Sequence, residues 1–238
     1  MDIDDTRFKI AAARRILQRE GCDSGIAGHV SVRSPGEDAF WVTPFEYFDE
    51  TTPDRLLRVT FDLEVLEGDW APSPAIQFHA AIYRERPDVG SIIHTHSYEV
   101  SLFSTLGTEL GMYNVVAALF HGRQALFCDD GSRPSADGKP LAAALGDDKS
   151  VVIMQNHGAV ITGPTLEHAA VDAISLEKAA RYHNDAVRLG GREMPLAEVE
   201  QTQRDYDEHF RPATWAANFR RLRRSDPDLF DHLDGEDR

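Results

Sequence analysis

The sequence predicts an α/β sandwich. Two patterns point to it: stretches with helical spacing of apolar residues alternate with short β-rich runs, and turn residues separate one from the next. The third observation is size. A chain of 238 residues with 42% hydrophobic content suits one domain, or one domain with a short tail, around a substantial core.

Taken in order, residues after Thr6 read as a helix, with Ile10, Ala13 and Leu17 on one face and Gly21 as its stop. The Gly-rich turn Gly25-Ile26-Ala27-Gly28 leads into His29-Val30-Ser31-Val32-Arg33, whose alternate valines predict a half-buried strand. Ala39 to Thr43 is its expected hairpin partner, and Leu56 to Leu66 supplies one or two more strands closed by Gly68. Ser73-Pro74 reads as a helix start, because Ser caps free N–H groups and Pro suits the first helical position. That helix is expected to bury Ile76, His79 or Ala80, and Tyr83, and to stop before Pro87. Val89 to His96 reads as a strand, and Ser97 as the cap of a helix ending near Gly107. Val115 to Phe127 is ambiguous in period, and Ser132 to Lys139 reads as a polar loop. A short helix is expected over Leu141 to Leu145. Val151 to Met154 predicts a buried strand, broken by Asn156-His157-Gly158 and resumed by Ala159 to Thr162. Thr165 caps the longest expected helix, which runs to about Gly190. From about Pro195 the chain is charged and helical, with Tyr206, Phe210, Trp215 and Phe219 expected to be buried. The expected organisation is a domain over 1–195 and a helical extension over 196–238 that packs on that domain or on a neighbouring subunit.

The 25 Lys and Arg residues face 40 Asp and Glu, a formal charge of −15. Such a chain is repelled by phosphate backbones and anionic lipid, so neither nucleic acid nor membrane is an expected partner. The local run Arg220-Arg221-Leu222-Arg223-Arg224 has acidic flanks and reads as a solvated helix face or a subunit contact. Two cysteines, Cys22 and Cys128, are too few for a disulfide framework. The start Met1-Asp2-Ile3-Asp4-Asp5 lacks the apolar stretch of a signal peptide, and a reduced, cytoplasmic protein is the expectation.

Ten histidines supply material for a metal site. His94 and His96 lie two apart on an expected strand, so both rings project from one face and can share one ion. His157 ends another apolar run, where a strand gives way to a turn. Three neutral imidazoles around a divalent ion leave coordination positions open for water or substrate. Spacing alone equally allows two strand-capping histidines and one turn histidine.

The chain resembles the class II aldolase/adducin family over residues from about 8 to 190. The likeness rests on Gly28-His29-Val30-Ser31-Val32-Arg33, Trp41-Val42-Thr43-Pro44, Pro72-Ser73 through Tyr83, Arg86-Pro87-Asp88, His94-Thr95-His96 and Asn156-His157-Gly158. It implies a three-layer α/β/α sandwich with a mainly antiparallel central sheet. It also implies a homotetramer with sites at subunit interfaces, and a divalent ion held by His94, His96 and His157. That ion is usually zinc in the family, with manganese and iron as the other choices. Tyr113 lies near the place where some family aldolases keep a catalytic tyrosine supplied by the adjacent subunit.

Departures from the family pattern bear on the substrate. The acid/base glutamate of the aldolases falls at Ala75, four residues before His79. The phosphate-binding positions read Gly28-His29, Thr43-Pro44-Phe45-Glu46 and Ser73-Pro74. Pro74 removes a hydroxyl and an N–H donor, and Glu46 repels a phosphate dianion if it faces the pocket. A small non-phosphorylated carboxylic acid, hydroxy, oxo or hydroxy-aromatic, fits better, with Phe45, Tyr47 and Phe48 as an apolar wall. Gly28, Thr43, Glu46 and Ser73 are therefore the expected substrate-binding positions. His29 reads as a carboxylate donor or a replacement proton carrier, or else as a hydrogen-bonded loop residue. His79 is expected to pack in the core, and Arg123 and Arg181 are further candidates for a substrate carboxylate. His121 and Gln124 are read as residues that reach a neighbouring site.

Three functions fit this reading. The first is a metal-dependent carbon–carbon lyase, a decarboxylase or an aldolase. Decarboxylation needs only an electron sink and a later proton, so a missing glutamate harms it less than aldol chemistry. The others are a non-haem iron oxygenase on the same three histidines and a non-catalytic, adducin-like scaffold.

Overall fold

The computed structural model describes residues 1–128 and 138–233. Helix α1 (Thr6–Arg19) is capped by the Asp5 carboxylate, which accepts from the Arg7 N–H, and Gly21 turns the chain at φ +84°. Strands β1 (His29–Arg33) and β2 (Ala39–Val42) form the expected hairpin, followed by β3 (Leu57–Thr60) and β4 (Val65–Glu67). Helix α2 (Gln77–Glu85), strand β5 (Ser91–Thr95) and helix α3 (Tyr98–Ser104) come next. The ambiguous stretch resolves into a 3₁₀ turn, Ala117–Phe120, and strand β6 (Gln124–Phe127). Most of the expected Ser132–Lys139 loop lies outside the described residues. Helix α4 (Lys139–Leu145), strands β7 (Val151–Met154) and β8 (Gly158–Gly163), and helix α5 (Leu166–Leu189) follow. The last helices are α6 (Leu196–Asp205), α7 (Arg211–Ser225) and α8 (Pro227–Phe230).

The eight strands form one sheet in the order β4-β3-β2-β1-β5-β8-β7-β6, and every pair is antiparallel except β6 with β7. Alternate residues of the central strands enter opposite cores. Val30, Ile93, Val151, Ile153 and Ile161 pack with α1, α3 and α5 on one face. Ile92, Val152, Met154 and Val160 pack with α2 and α4 on the other. The sheet is thus covered on both sides, and its central strands are buried along their length.

Two expectations are corrected. Ser73-Pro74 does not begin a helix. Pro72 bridges Pro44, Pro74 restricts Ser73 to an extended conformation, and a turn from the Ser73 carbonyl to the Ile76 N–H intervenes before Gln77. Phe210 is 58% exposed. The segment Tyr206–Phe210 is wound as a π-type turn, so an i+4 extrapolation from half-buried Tyr206 does not keep Phe210 on the inner face.

The chain beyond Pro195 lies against α1 and α5. Phe8 meets Phe219 and Phe230 edge-on at 6.3 and 5.4 Å. Charged pairs flank this apolar contact. Arg15 and Arg19 reach Asp226, Arg221 reaches Glu20, and Arg211 reaches Asp172 on α5 at 2.8 Å. Arg211 and Asp172 are both buried, and Asp207 bridges Arg211 to Arg123. No helix among the described residues is long and apolar enough to cross a membrane.

Replacing Arg211 with Met leaves the buried Asp172 carboxylate with only the weaker contact of His168 at 3.3 Å. The expected loss of stability is about 3 kcal/mol in urea unfolding at neutral pH. Asp207 adds a pH dependence. Partial burial pushes its pKa up, but hydrogen bonds from Arg123 and Arg211 outweigh this and bring it down to about 2. A depressed carboxylate pKa stabilises the fold above the unfolded value of about 3.9, and that contribution is lost as pH falls toward the folded value. Circular dichroism across this window is expected to show less of this acid sensitivity in Asp207→Asn than in the parent chain.

Candidate metal centre and its surroundings

The three-histidine cluster is built by pairing register. Strand β5 pairs with β8 so that His94 faces Val160 and Thr95 faces Ala159, and the tight turn from β7 to β8 carries His157 to the same end. Asn156 turns the chain at φ +59°, a left-handed conformation that Asn tolerates better than most residues. Gly158 follows because a Cβ there would lie 2.3 Å from the Thr95 carbonyl oxygen. The motif Asn156-His157-Gly158 thus reads physically as turn, ligand and close approach.

His96 Nε2 lies 2.8 Å from both His94 Nε2 and His157 Nε2, and the three candidate ligand nitrogens all fall within 4.8 Å of one another. His94 Nδ1 donates to the Ala159 carbonyl at 2.9 Å, so its Nε2 keeps a free lone pair aimed at the cluster. Burial pushes the His94 pKa well below its ordinary value, and His29, His96 and His157 add to the effect. Burial and then His157 bring His96 down to about 4. Neutral imidazoles whose lone pairs converge are what a divalent ion requires, so the donor set fits a metal. The cluster grades from buried His94 through half-buried His96 to exposed His157, leaving one side open to solvent.

His29 is fully buried and sits directly opposite His94 across β1 and β5, with ring centroids 5.0 Å apart. Its Nδ1 lies 2.7 Å from His79 Nε2, and its own Nε2 has no hydrogen-bond partner among the described residues. His79 is buried as expected but does more than pack, because its Nδ1 lies 2.6 Å from Ser31 Oγ, which in turn is 2.7 Å from Tyr83 Oη. Ser31 and Tyr83 carry no functional motif of their own in the sequence. Their signal is period: His29 and Ser31 alternate on β1, and His79 and Tyr83 are four apart on α2.

The loops beside this cluster are held by Arg14 of α1. Its buried guanidinium donates to the carbonyls of Gly28, Pro44 and Glu46 and stacks 4.3 Å from the Phe48 ring. Burial lowers its pKa to about 10, which leaves it charged at neutral pH. Gly28 is demanded by packing, since a Cβ would come within 2.6 Å of the Phe48 ring. Phe48 is therefore core, not pocket wall, while Phe45 and Tyr47 are exposed. The loop reaches the cluster through Ser24, whose Oγ accepts from the His96 N–H at 2.6 Å.

The other expected positions divide. Thr43 is fully buried and its Oγ1 accepts from the Val30 N–H, while Ser73 Oγ accepts from the Ala75 N–H. Glu46 is buried and paired with Arg55 at 2.8 Å, so its charge is compensated. Tyr113 packs edge-on against His183 of α5, and none of its described contacts is with the three histidines. Arg123 stands at the opposite end of β6 and β7 from His157, engaged with Asp207. The Gln124 side chain is consumed by both backbone polar groups of Leu110.

Known proteins resemble this chain in sequence and in fold. Residues 8–183 match the family described as Class II Aldolase and Adducin N-terminal domain. The chain is 33% identical to a 4-hydroxy-3-prenylphenylpyruvate oxygenase/4-hydroxy-3-prenylbenzoate synthase of Streptomyces roseochromogenus, covering 81% of this chain and 72% of the relative. It is 30% identical to a 3,4-dihydroxyphthalate decarboxylase of Arthrobacter keyseri, covering 78% and 80%. The structure of L-fuculose 1-phosphate aldolase from Glaciozyma antarctica superposes with a TM-score of 0.84 at 28% identity, over 94% of this chain and 90% of that one. Sheet order, three convergent imidazoles and a match over most of the length lead to one conclusion: the chain belongs to the class II aldolase/adducin family.

Proposed function

We infer that the protein is a metal-dependent carbon–carbon lyase acting on a small non-phosphorylated carboxylic acid, with decarboxylation of a hydroxy-aromatic or oxo acid as the favoured reaction. The observation that carries this is the convergence of His94, His96 and His157 beside a buried His29 whose Nε2 is unpartnered. A divalent ion held by the three histidines, with zinc first in expectation, supplies Lewis-acid stabilisation of charge on a substrate oxygen. The protein's own groups do the rest. In decarboxylation the C–C bond breaks, carbon dioxide leaves, the electron pair stays on the substrate and one proton must then be delivered. His29 is the group proposed to face the substrate, and Ala75, where the family resemblance sets a glutamate, offers no proton. The exposed rings of Phe45 and Tyr47 border the loop and suit an aromatic substrate. Pro74 gives no N–H for a phosphate, which supports an unphosphorylated substrate. Tyr113 is assigned to a neighbouring site in a proposed homotetramer, which a mass measurement in solution checks.

A second reading, an iron(II)-dependent oxygenase, is favoured by the likeness to the Streptomyces oxygenase/synthase. Oxygen uptake with iron(II) and none with zinc would select it.

Metal-loaded protein is expected to release carbon dioxide from at least one member of a panel of hydroxy-aromatic and 3-oxo acids; no release across the panel counts against the lyase reading. His157→Ala is expected to weaken zinc at least about 100-fold in a chelator competition, with unchanged circular dichroism. Zinc retention is expected to persist below the ordinary imidazole pKa as pH falls, because only the neutral ring binds metal and burial lowers the proton affinity of His96.

A further inference from the structure

A polar seam runs through the otherwise apolar interface between α2 and the sheet. It contains Tyr83 Oη, Ser31 Oγ, both ring nitrogens of His79 and Nδ1 of His29, joined at 2.7, 2.6 and 2.7 Å. All four residues are buried to 1% exposure or less. The seam ends at His29 Nε2, which has no partner among the described residues, and His29 shares the sheet face of His94, with ring centroids 5.0 Å apart.

Proton accounting fixes its direction. Four neutral side chains bring four mobile protons, and three hydrogen bonds consume three of them. The Tyr83 hydroxyl sits among Phe40, Phe61 and the Arg33 guanidinium, which has only donors. Ser31 Oγ is therefore the acceptor left for the phenol proton. Ser31 then donates to His79 Nδ1, since accepting there as well would leave its own buried proton unmatched; His79 Nε2 donates to His29 Nδ1, and the proton of His29 is left on Nε2. Either direction leaves one proton unmatched. The reverse strands that of Tyr83 in an apolar core among Phe40 and Phe61, an unmade hydrogen bond costing about 1–3 kcal/mol. This one leaves it on His29, on the sheet face of His94, where a substrate oxygen can accept it. Burial disfavours a charge on either histidine, which keeps both rings neutral.

We propose that Tyr83, Ser31 and His79 form a one-way hydrogen-bond chain that holds His29 in its Nε2–H tautomer, so that His29 offers the three-histidine site a hydrogen-bond donor for an anionic substrate oxygen and is not a fourth metal ligand. The proposal rests on reading the cluster as the active site. His79, Ser31 and Tyr83 are positioning residues, acting only through His29. A ring nitrogen that carries a proton has no lone pair for a metal, so the chain also keeps the coordination at three imidazoles and leaves positions open.

The test is the tautomer itself, read by long-range ¹H–¹⁵N correlation on zinc-loaded protein labelled with ¹⁵N-histidine. His29 is expected as Nε2–H and His79 as Nε2–H, while X-ray absorption at zinc counts three imidazoles. His29 found as Nδ1–H, or four imidazoles on zinc, overturns the proposal. Both readouts are independent of turnover, so an inactive protein with the expected tautomers defeats only the lyase reading. In Ser31→Ala the donor to His79 is gone, and mixed tautomers at His29 are expected at unchanged zinc content; a single unchanged tautomer in that variant also overturns the chain. If Ser31→Ala does not fold, the parent spectrum decides alone. Where turnover is found, Tyr83→Phe is expected to lower kcat roughly tenfold with little change in KM or zinc content.

Discussion

The structure depends on one register. β5 lies between β1 and β8, and the alignment of His94 with both His29 and Val160 decides which side chains share the site. A slip of one residue would turn His94 and His96 into the core beneath α5 and bring Ile93 to the cluster side. Burial opposes this, because the slip would carry the His94 imidazole into the apolar core that Ile93 fills. Hydrophobic burial on the two faces of the sheet therefore fixes the geometry of the polar site.

That arrangement brings a cost with it. Two imidazoles, a serine and a tyrosine sit fully inside, where an unmatched polar atom is expensive. They are tolerated because they satisfy one another in sequence, and a continuous chain leaves a single unmatched end. That end is His29 Nε2, on a ring that shares the sheet face of His94. The buried Arg14 follows the same logic. Its cost of desolvation is offset by three loop carbonyls, and the result is two loops locked at the mouth of the site.

Much of the fold is legible in the sequence. Thr165 and Gly190 bound the longest helix as caps should, and the interrupted apolar run at Asn156-His157-Gly158 is a tight turn between paired strands. At Ser73-Pro74 the cap signature does not predict the structure, because that signature is local, whereas the Pro44–Pro72 bridge that keeps the chain extended is not. Phe210 departs from expectation because its aromatic character favours burial, whereas a π-type turn over Tyr206–Phe210 shifts it outward. Thr43 and Ser73 show a different limit: a hydroxyl suited to a ligand is equally suited to a backbone N–H, and spacing does not distinguish the two uses.

The sequence by itself determined the elements, the faces of the strands and the identity of three histidines able to share an ion, because periodicity and residue chemistry are local properties. It also held His29, Ser31, His79 and Tyr83 at the spacings that place them on facing surfaces. Only the tertiary structure decided that those surfaces meet, that Glu46 is neutralised by Arg55, and that Arg123 lies at the far end of the sheet. Contacts between residues fifty positions apart are set by strand order and helix docking, and no local pattern encodes them.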